Sequence, residues 1–210
     1  MTQSSRGPAD PTATDTGLSP APVRPTMEPS RAALAAVAAD PDAFRARLSA
    51  LVTDHGLDPD RLPRSAAADR RERADAVAAD RRERRLVERV RLLDDLPVGL
   101  TLTGPAYRDT PIVYVNRWFR ELTGYSLDAL RGRNPRVFRA PRTAASDRAD
   151  FREALSTWSR ATVTVRNRRR DGVPFVSRVS LCPLFGDAGT VTHWVAAQEP
   201  VEWPDGDPRD

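Results

Sequence analysis

Arginine dominates the chemistry open to this chain. All 33 basic residues are arginine, set against 29 acidic residues for a formal net charge of +4. A guanidinium is planar, permanently charged and able to pair with carboxylate or phosphate through two parallel N–H donors, so anion binding is what this composition offers. Acids nearly balance the arginines, which argues against a general nucleic-acid-binding surface. Groups suited to covalent or metal chemistry are sparse. The single cysteine, Cys182, cannot form an internal disulfide and fits a reducing cytoplasm. The histidines, His55 and His193, fall at a helix end and in a strand. No nucleophile–base arrangement, metal-ligand cluster or phosphate-cradling glycine loop stands out, so an enzyme is not expected.

The elements around these residues follow from composition and periodicity. A length of 210 residues gives room for one ordinary domain with flanking segments. No apolar run approaches the roughly 18 residues of a membrane span, and the polar N-terminus lacks a secretory signal, so a cytoplasmic location is expected. Residues 1–28 are rich in Pro, Thr, Ser and Gly and predict disorder. Residues 29–56 predict a small helical pair. Ser30 is suited to cap an alanine-rich helix to about Ala39. Asp40-Pro41 reads as cap and first helical position of the second helix. Phe44, Leu48, Leu51 and Val52 follow at helical spacing, and Gly56 ends it. Residues 57–95 read as a linker to Pro63, then a long charged helix from Ser65 to about Asp95. Its interleaved signs suit a solvated helix, and Leu86, Val90 and Leu93 form a plausible dimer stripe.

From Leu96 the texture becomes mixed α/β. Val98–Thr103 and Ile112–Val115 read as strands around an Asp109-Thr110-Pro111 turn. Short helices follow at Arg117–Leu122 and from Ser126 to Leu130, then a longer one within Pro141–Trp158. Three further strands, Ala161–Asn167, Phe175–Leu184 and Val191–Gln198, are joined by Asp-Gly and Asp-Ala-Gly turns. The order β-β-α-α-α-β-β-β implies a five-stranded antiparallel sheet with short helices on one face, an α+β fold preceded by a helical N-terminal extension. A sheet half-covered in this way leaves a pocket between its layers. Strand alternation puts Trp194, Ala196 and Gln198 on one face, and likewise Ser177, Val179 and Leu181. Cys182 points to the opposite face.

Two motifs carry a family resemblance. Tyr114-Val115-Asn116 followed by Phe119-x-x-Leu122-Thr123-Gly124-Tyr125-Ser126 resembles the PAS signature. Gly132-Arg133-Asn134-Pro135-Arg136-Val137-Phe138-Arg139-Ala140-Pro141-Arg142-Thr143 resembles the flavin signature of the light-oxygen-voltage (LOV) branch of PAS domains, which runs Gly-Arg-Asn-Cys-Arg-Phe-Leu-Gln-Gly-Pro-x-Thr. The resemblance spans about half the chain, within a domain at residues 96–200, and leaves a tail at 201–210.

The resemblance implies a sensor that binds FMN or FAD. Arg136 and Arg152 occupy the positions that hold the flavin phosphate. Asn134, Asn167 and Gln198 match amides that contact the ring or its side chain, and Gln198 matches the glutamine that turns when flavin protonation changes. The sequence departs from the family at three of these positions. Pro135 replaces the cysteine that forms the photochemical adduct, Arg139 replaces a flavin-contacting glutamine, and Ser177 replaces a flavin-contacting asparagine. Without a thiol at 135 the adduct has no nucleophile. Proline nonetheless suits the first position of a helix capped by Asn134. Light-driven reduction of the flavin, with Trp118, Trp158, Trp194 or Tyr114 as electron donor, is the chemistry left open, read out through Gln198 and the helical extension.

Three functional readings stay open at this stage. One is the flavin sensor without an adduct. Another is a cofactor-free PAS module for dimerisation or partner docking. The third is a regulator touching nucleic acid through Arg61–Arg91, against which the acids of that segment count. A homodimer through the 65–95 helix and the sheet face, and a downstream signalling partner, are the expected associations.

Overall fold

Element boundaries follow the caps. A computed structural model describes residues 28–56, 81–140 and 145–202. Helix α1 spans Glu28–Ala38 and α2 spans Pro41–Asp54. Asp40 divides them, its carboxylate accepting from the Asp42 and Ala43 amides as an N-cap does. The Ala43 amide bond is the main reason that carboxyl sits below its usual range. Gly56 follows at φ +59°, the left-handed conformation that closes helices. Helix α3 spans Arg81–Arg91. The expected helix start at Ser65 and the expected disorder of residues 1–27 lie outside the described residues, as does most of the expected tail.

The remaining elements come in the expected order. They are β1 (Gly99–Thr103), β2 (Ile112–Val115), α4 (Arg117–Thr123), α5 (Leu127–Leu130), α6 (Ala145–Thr157), β3 (Ala161–Arg168), β4 (Pro174–Phe185) and β5 (Val191–Glu202). The strands form one sheet in the order β2-β1-β5-β4-β3, antiparallel throughout. Asn116 ties three pieces together. Its Oδ1 accepts from the Leu100 and Phe119 amides, and its Nδ2 donates to the Leu93 and Val98 carbonyls. As a fully buried amide with both ends bonded, it joins the α3 exit, β1 and α4 at little cost.

The short helices α4–α6 cover one face of the sheet, as expected, and the N-terminal helical extension covers the other. On the outer face Ala33, Ala36 and Val37 of α1 and Leu86 and Val90 of α3 pack with Leu100, Leu102, Leu184, Val195 and Ala197. Leu86, Val90 and Leu93, read from sequence as a dimer stripe, are buried against this chain's own sheet. An apolar seam requires burial but does not specify against what. Ser30 is likewise not the cap of α1. It lies inside the helix, where its Oγ donates to Glu199 Oε1 at 2.5 Å with both residues buried.

On the inner face, Gly99 of β1 pairs with Gln198 and lies directly under Phe119. A methyl group on Gly99 would come within 2.4 Å of the Phe119 ring, and Phe119 is fully buried. Gly99→Ala is therefore expected to destabilise the fold by about 1–3 kcal/mol through overpacking, seen as a lower midpoint in chemical denaturation.

Candidate functional site

A cavity of about 450 Å³ opens between the inner sheet face and the helices that cross it. The register explains its floor. Val179 of β4 faces Gln198 of β5, Leu181 faces Ala196, and Thr101 and Thr103 of β1 face Ala196 and Trp194. Phe151 and Leu155 of α6 supply an apolar wall. The opposite rim is a 3-10 turn, Pro135–Phe138, together with the Asp109–Thr110 corner. Apolar walls around a few convergent polar groups are the usual composition of a small-molecule site.

The structure brings Asn134, Arg136, Arg139, Arg152, Asn167 and Gln198 to this cavity, with Pro135 among them on the lining. Gln198 is buried, and its Nε2 donates to Thr101 Oγ1 at 3.0 Å. Asn167 is buried on β3, where its backbone bridges to Arg139. That bridge brings an arginine and an amide to one edge of the cavity. The Arg139 guanidinium stands 5.6 Å from the centre of the Phe151 ring, a cation–π distance. Arg152 projects from α6 and is exposed.

Asn134 does something the sequence reading missed. Its Oδ1 accepts from the Arg136 amide, capping the 3-10 turn with Pro135 in first position, as expected. Its Nδ2 donates to the Asp109 carbonyl at 2.6 Å, to Asp109 Oδ1 at 3.1 Å and to Thr110 Oγ1 at 2.9 Å. The side chain holds the rim corner in place. Arg136 in turn pairs with the Asp109 carboxylate.

Ser177 is the expected contact that stays off the lining. It is fully buried, and its Oγ lacks a hydrogen-bond partner. The β4–β5 register slips between Val176 and Ser177, leaving Val201 as an extra residue on β5. The bulge lies on β5, and β4 keeps its alternation: Ser177 pairs with Val165 and Val179 with Val163 of β3 without a slip, so Ser177, Val179 and Leu181 share one face as expected. Cys182 also sits off the cavity, as alternation predicted. It is buried in the outer-face core, and burial pushes its thiol above the usual range.

Of the aromatic residues considered as electron donors, Trp194 lines the cavity. Trp158 is 49 % exposed, Trp118 packs beside Phe119, and Tyr114 turns to the outer core, where its hydroxyl donates to Asp94. Burial and the adjacent Asp94 carboxylate raise the Tyr114 phenol well above its ordinary range. The Trp194 indole N–H is buried without an acceptor. A buried donor left unpaired is costly. Cavity size, amides and arginines together fit a flavin nucleotide. Among the described residues no His/Cys/Asp/Glu group could hold a metal ion, and no helix is long and apolar enough to cross a membrane.

Known proteins agree with this geometry. Residues 97–199 match the family model described as PAS domain. The chain is 38% identical over 119 residues to the bacterioopsin transcriptional activator of Halobacterium salinarum, covering 57% of this chain and 17% of that protein. It is 38% identical over 110 residues to Protein TWIN LOV 1 of Arabidopsis thaliana, covering 52% of this chain and 28% of that protein. The chain thus spans less than a third of the length of either relative. A solved structure from a study of the light-oxygen-voltage domain mechanism with a flavin analogue shares 30% identity at a TM-score of 0.50. That match covers 52% of this chain and 82% of that one. The chain belongs to the PAS superfamily, in its light-oxygen-voltage branch.

Proposed function

We propose that this chain is a cytoplasmic sensory module that binds FMN or FAD non-covalently and relays its state without forming a cysteinyl adduct. One observation carries the reading: a single cavity gathers Gln198, Asn167 and three arginines around a position occupied by proline. A bound flavin would supply blue-light absorption and electron-transfer chemistry. The chain supplies the rest. Arg136 and Arg152 pair with the phosphate, Arg139 adds a third cation, and Asn167 and Gln198 meet the polar edge of the ring. Trp194 is the electron donor at hand.

Gln198 is the reporting residue. An amide offers a donor at one end and an acceptor at the other, and the Thr101 hydroxyl can serve either. Gln198 can therefore turn over without losing its bond to Thr101. Glu199, next on β5, faces the other side and holds Ser30 of α1. A small displacement of β5 thus reaches the helices packed on the outer face, which is how a modest free-energy difference shifts a two-state element. A homodimer through the sheet face requires those helices to move away, so pairing follows release.

Titration of the full chain with FMN and FAD, followed by flavin fluorescence and absorption, tests the reading. Saturable binding with a structured absorption band is expected, with a shifted band in Gln198→Leu. Protein that stays colourless with both flavins rejects it. The cofactor-free reading has one observation in its favour, since Asn134 and Arg136 already have partners within the chain. In that case the same titration shows no binding.

A further inference from the structure

The Asp109–Thr110 corner is unusual in its backbone. Asp109 has φ +63° and Thr110 φ +47°, two successive non-glycine residues in the left-handed region. A β-branched threonine there is rare. Such strain persists where surrounding structure over-determines it, and it concentrates at functional sites. Here the restraint is explicit. Asn134 grips the Asp109 carbonyl, the Asp109 carboxylate and the Thr110 hydroxyl. Next to the corner, Ile112 exchanges backbone bonds with Arg133 and Gly132. The result fixes one carboxylate against Arg136 at the cavity rim, with 68% and 59% of the two side chains exposed.

From this we infer that Asp109 is a specificity-determining residue that competes with a ligand phosphate for Arg136. The inference rests on the flavin reading of the same cavity. An ion pair this exposed is weak and exchangeable. A phosphate brings more charge and three acceptor oxygens, so it displaces a carboxylate from a guanidinium. The displaced carboxylate does not leave, because Asn134 and the left-handed backbone hold it beside the incoming anion. Asp109 therefore penalises phosphorylated ligands and leaves unphosphorylated ones of the same ring untouched. It keeps a nucleotide exchangeable in a site whose three arginines would otherwise retain it.

Asp109→Asn removes the charge while keeping the shape. Asparagine tolerates the left-handed region at least as well as aspartate, and its side-chain oxygen can still accept from Asn134. Binding of FMN and of riboflavin, which lacks the phosphate, is measured by flavin fluorescence on the full chain and on this variant. The expected result is about fivefold tighter FMN binding, the equivalent of one exposed ion pair, with riboflavin changed by less than about twofold. The FMN gain should shrink as salt is raised and be smaller in an Arg136→Ala background, where only the repulsion by the held carboxylate remains. Weaker FMN binding would show that Asp109 positions Arg136 instead, and an equal change for both flavins would place its effect on the fold. Either result overturns the inference while leaving flavin binding intact. If neither protein binds either flavin, the flavin reading itself falls, and this inference with it.

Discussion

A Pro135→Cys variant loaded with FMN is expected to bleach its blue absorption band rapidly under illumination, as a flavin–thiol adduct, and to recover in the dark, whereas the natural chain forms no adduct and undergoes only slow photoreduction. Pro135 lines the cavity as the first residue of the 3-10 turn. The turn does not depend on the proline ring, because its cap is the Asn134 side chain bonding the Arg136 amide. Cysteine at that position regains a backbone N–H at a helix start, where such groups need no intrahelical partner. It also places a thiol where the family resemblance puts the photochemical nucleophile. Nearby Arg136 and Arg139 favour the thiolate form of a cysteine. The change is all-or-none, because the natural chain has no thiol on the cavity and its native Cys182 lies in the outer core with its ionisation suppressed by burial. Time-resolved absorption provides the measurement. A variant that binds FMN yet never bleaches would show that residue 135 does not address the reactive edge of the ring.

The second large effect is expected on the outer face. Val37 of α1 is fully buried in the cluster that joins α1 and α3 to the sheet. Val37→Asp puts an uncompensated charge there, a change of about 3–5 kcal/mol when no partner is available. That is comparable to the whole stability of many domains, yet the inner core of Phe119, Phe138 and Phe175 is a separate cluster. The expected outcome is therefore detachment of α1 and α2 with the strands still folded. Hydrogen exchange in α1 should become fast while β4 and β5 stay protected. The bared strip of Val195 and Ala197 should promote self-association, read as a higher mass by light scattering. A variant with unchanged exchange and unchanged mass would refute the idea that the helices form a releasable cover.

Much of this was legible in the sequence. Asp40-Pro41, Asn116, Ser126 and the Asp171-Gly172 turn each encode a local bonding pattern, and the elements begin and end at them. Strand alternation put Gln198 and Trp194 on the cavity side and Cys182 away from it. What escaped depends on contacts between distant segments. Leu86, Val90 and Leu93 declare an apolar seam, but a second chain and this chain's own sheet satisfy it equally. Ser30 looks like a cap because serine caps helices, and only folding brings Glu199 to it. Ser177 shares its face with Val179 and Leu181, as alternation predicts, yet it is buried off the cavity lining. Asn134 was read as a ligand amide, while the left-handed backbone of Asp109 and Thr110, which nothing local announces, claims its donors.

Gln198 and Glu199 are consecutive, yet one faces the cavity and the other the helical cover. The sheet is one residue thick, so the cavity amide and the carboxylate that holds the cover are separated by a single peptide bond. This has a cost for recombination. A cover transplanted onto another PAS domain would lack its buried carboxylate unless β5 came with it, and β5 would bring the cavity amide too. In this chain the proposed receiver and the proposed transmitter are inherited as one strand.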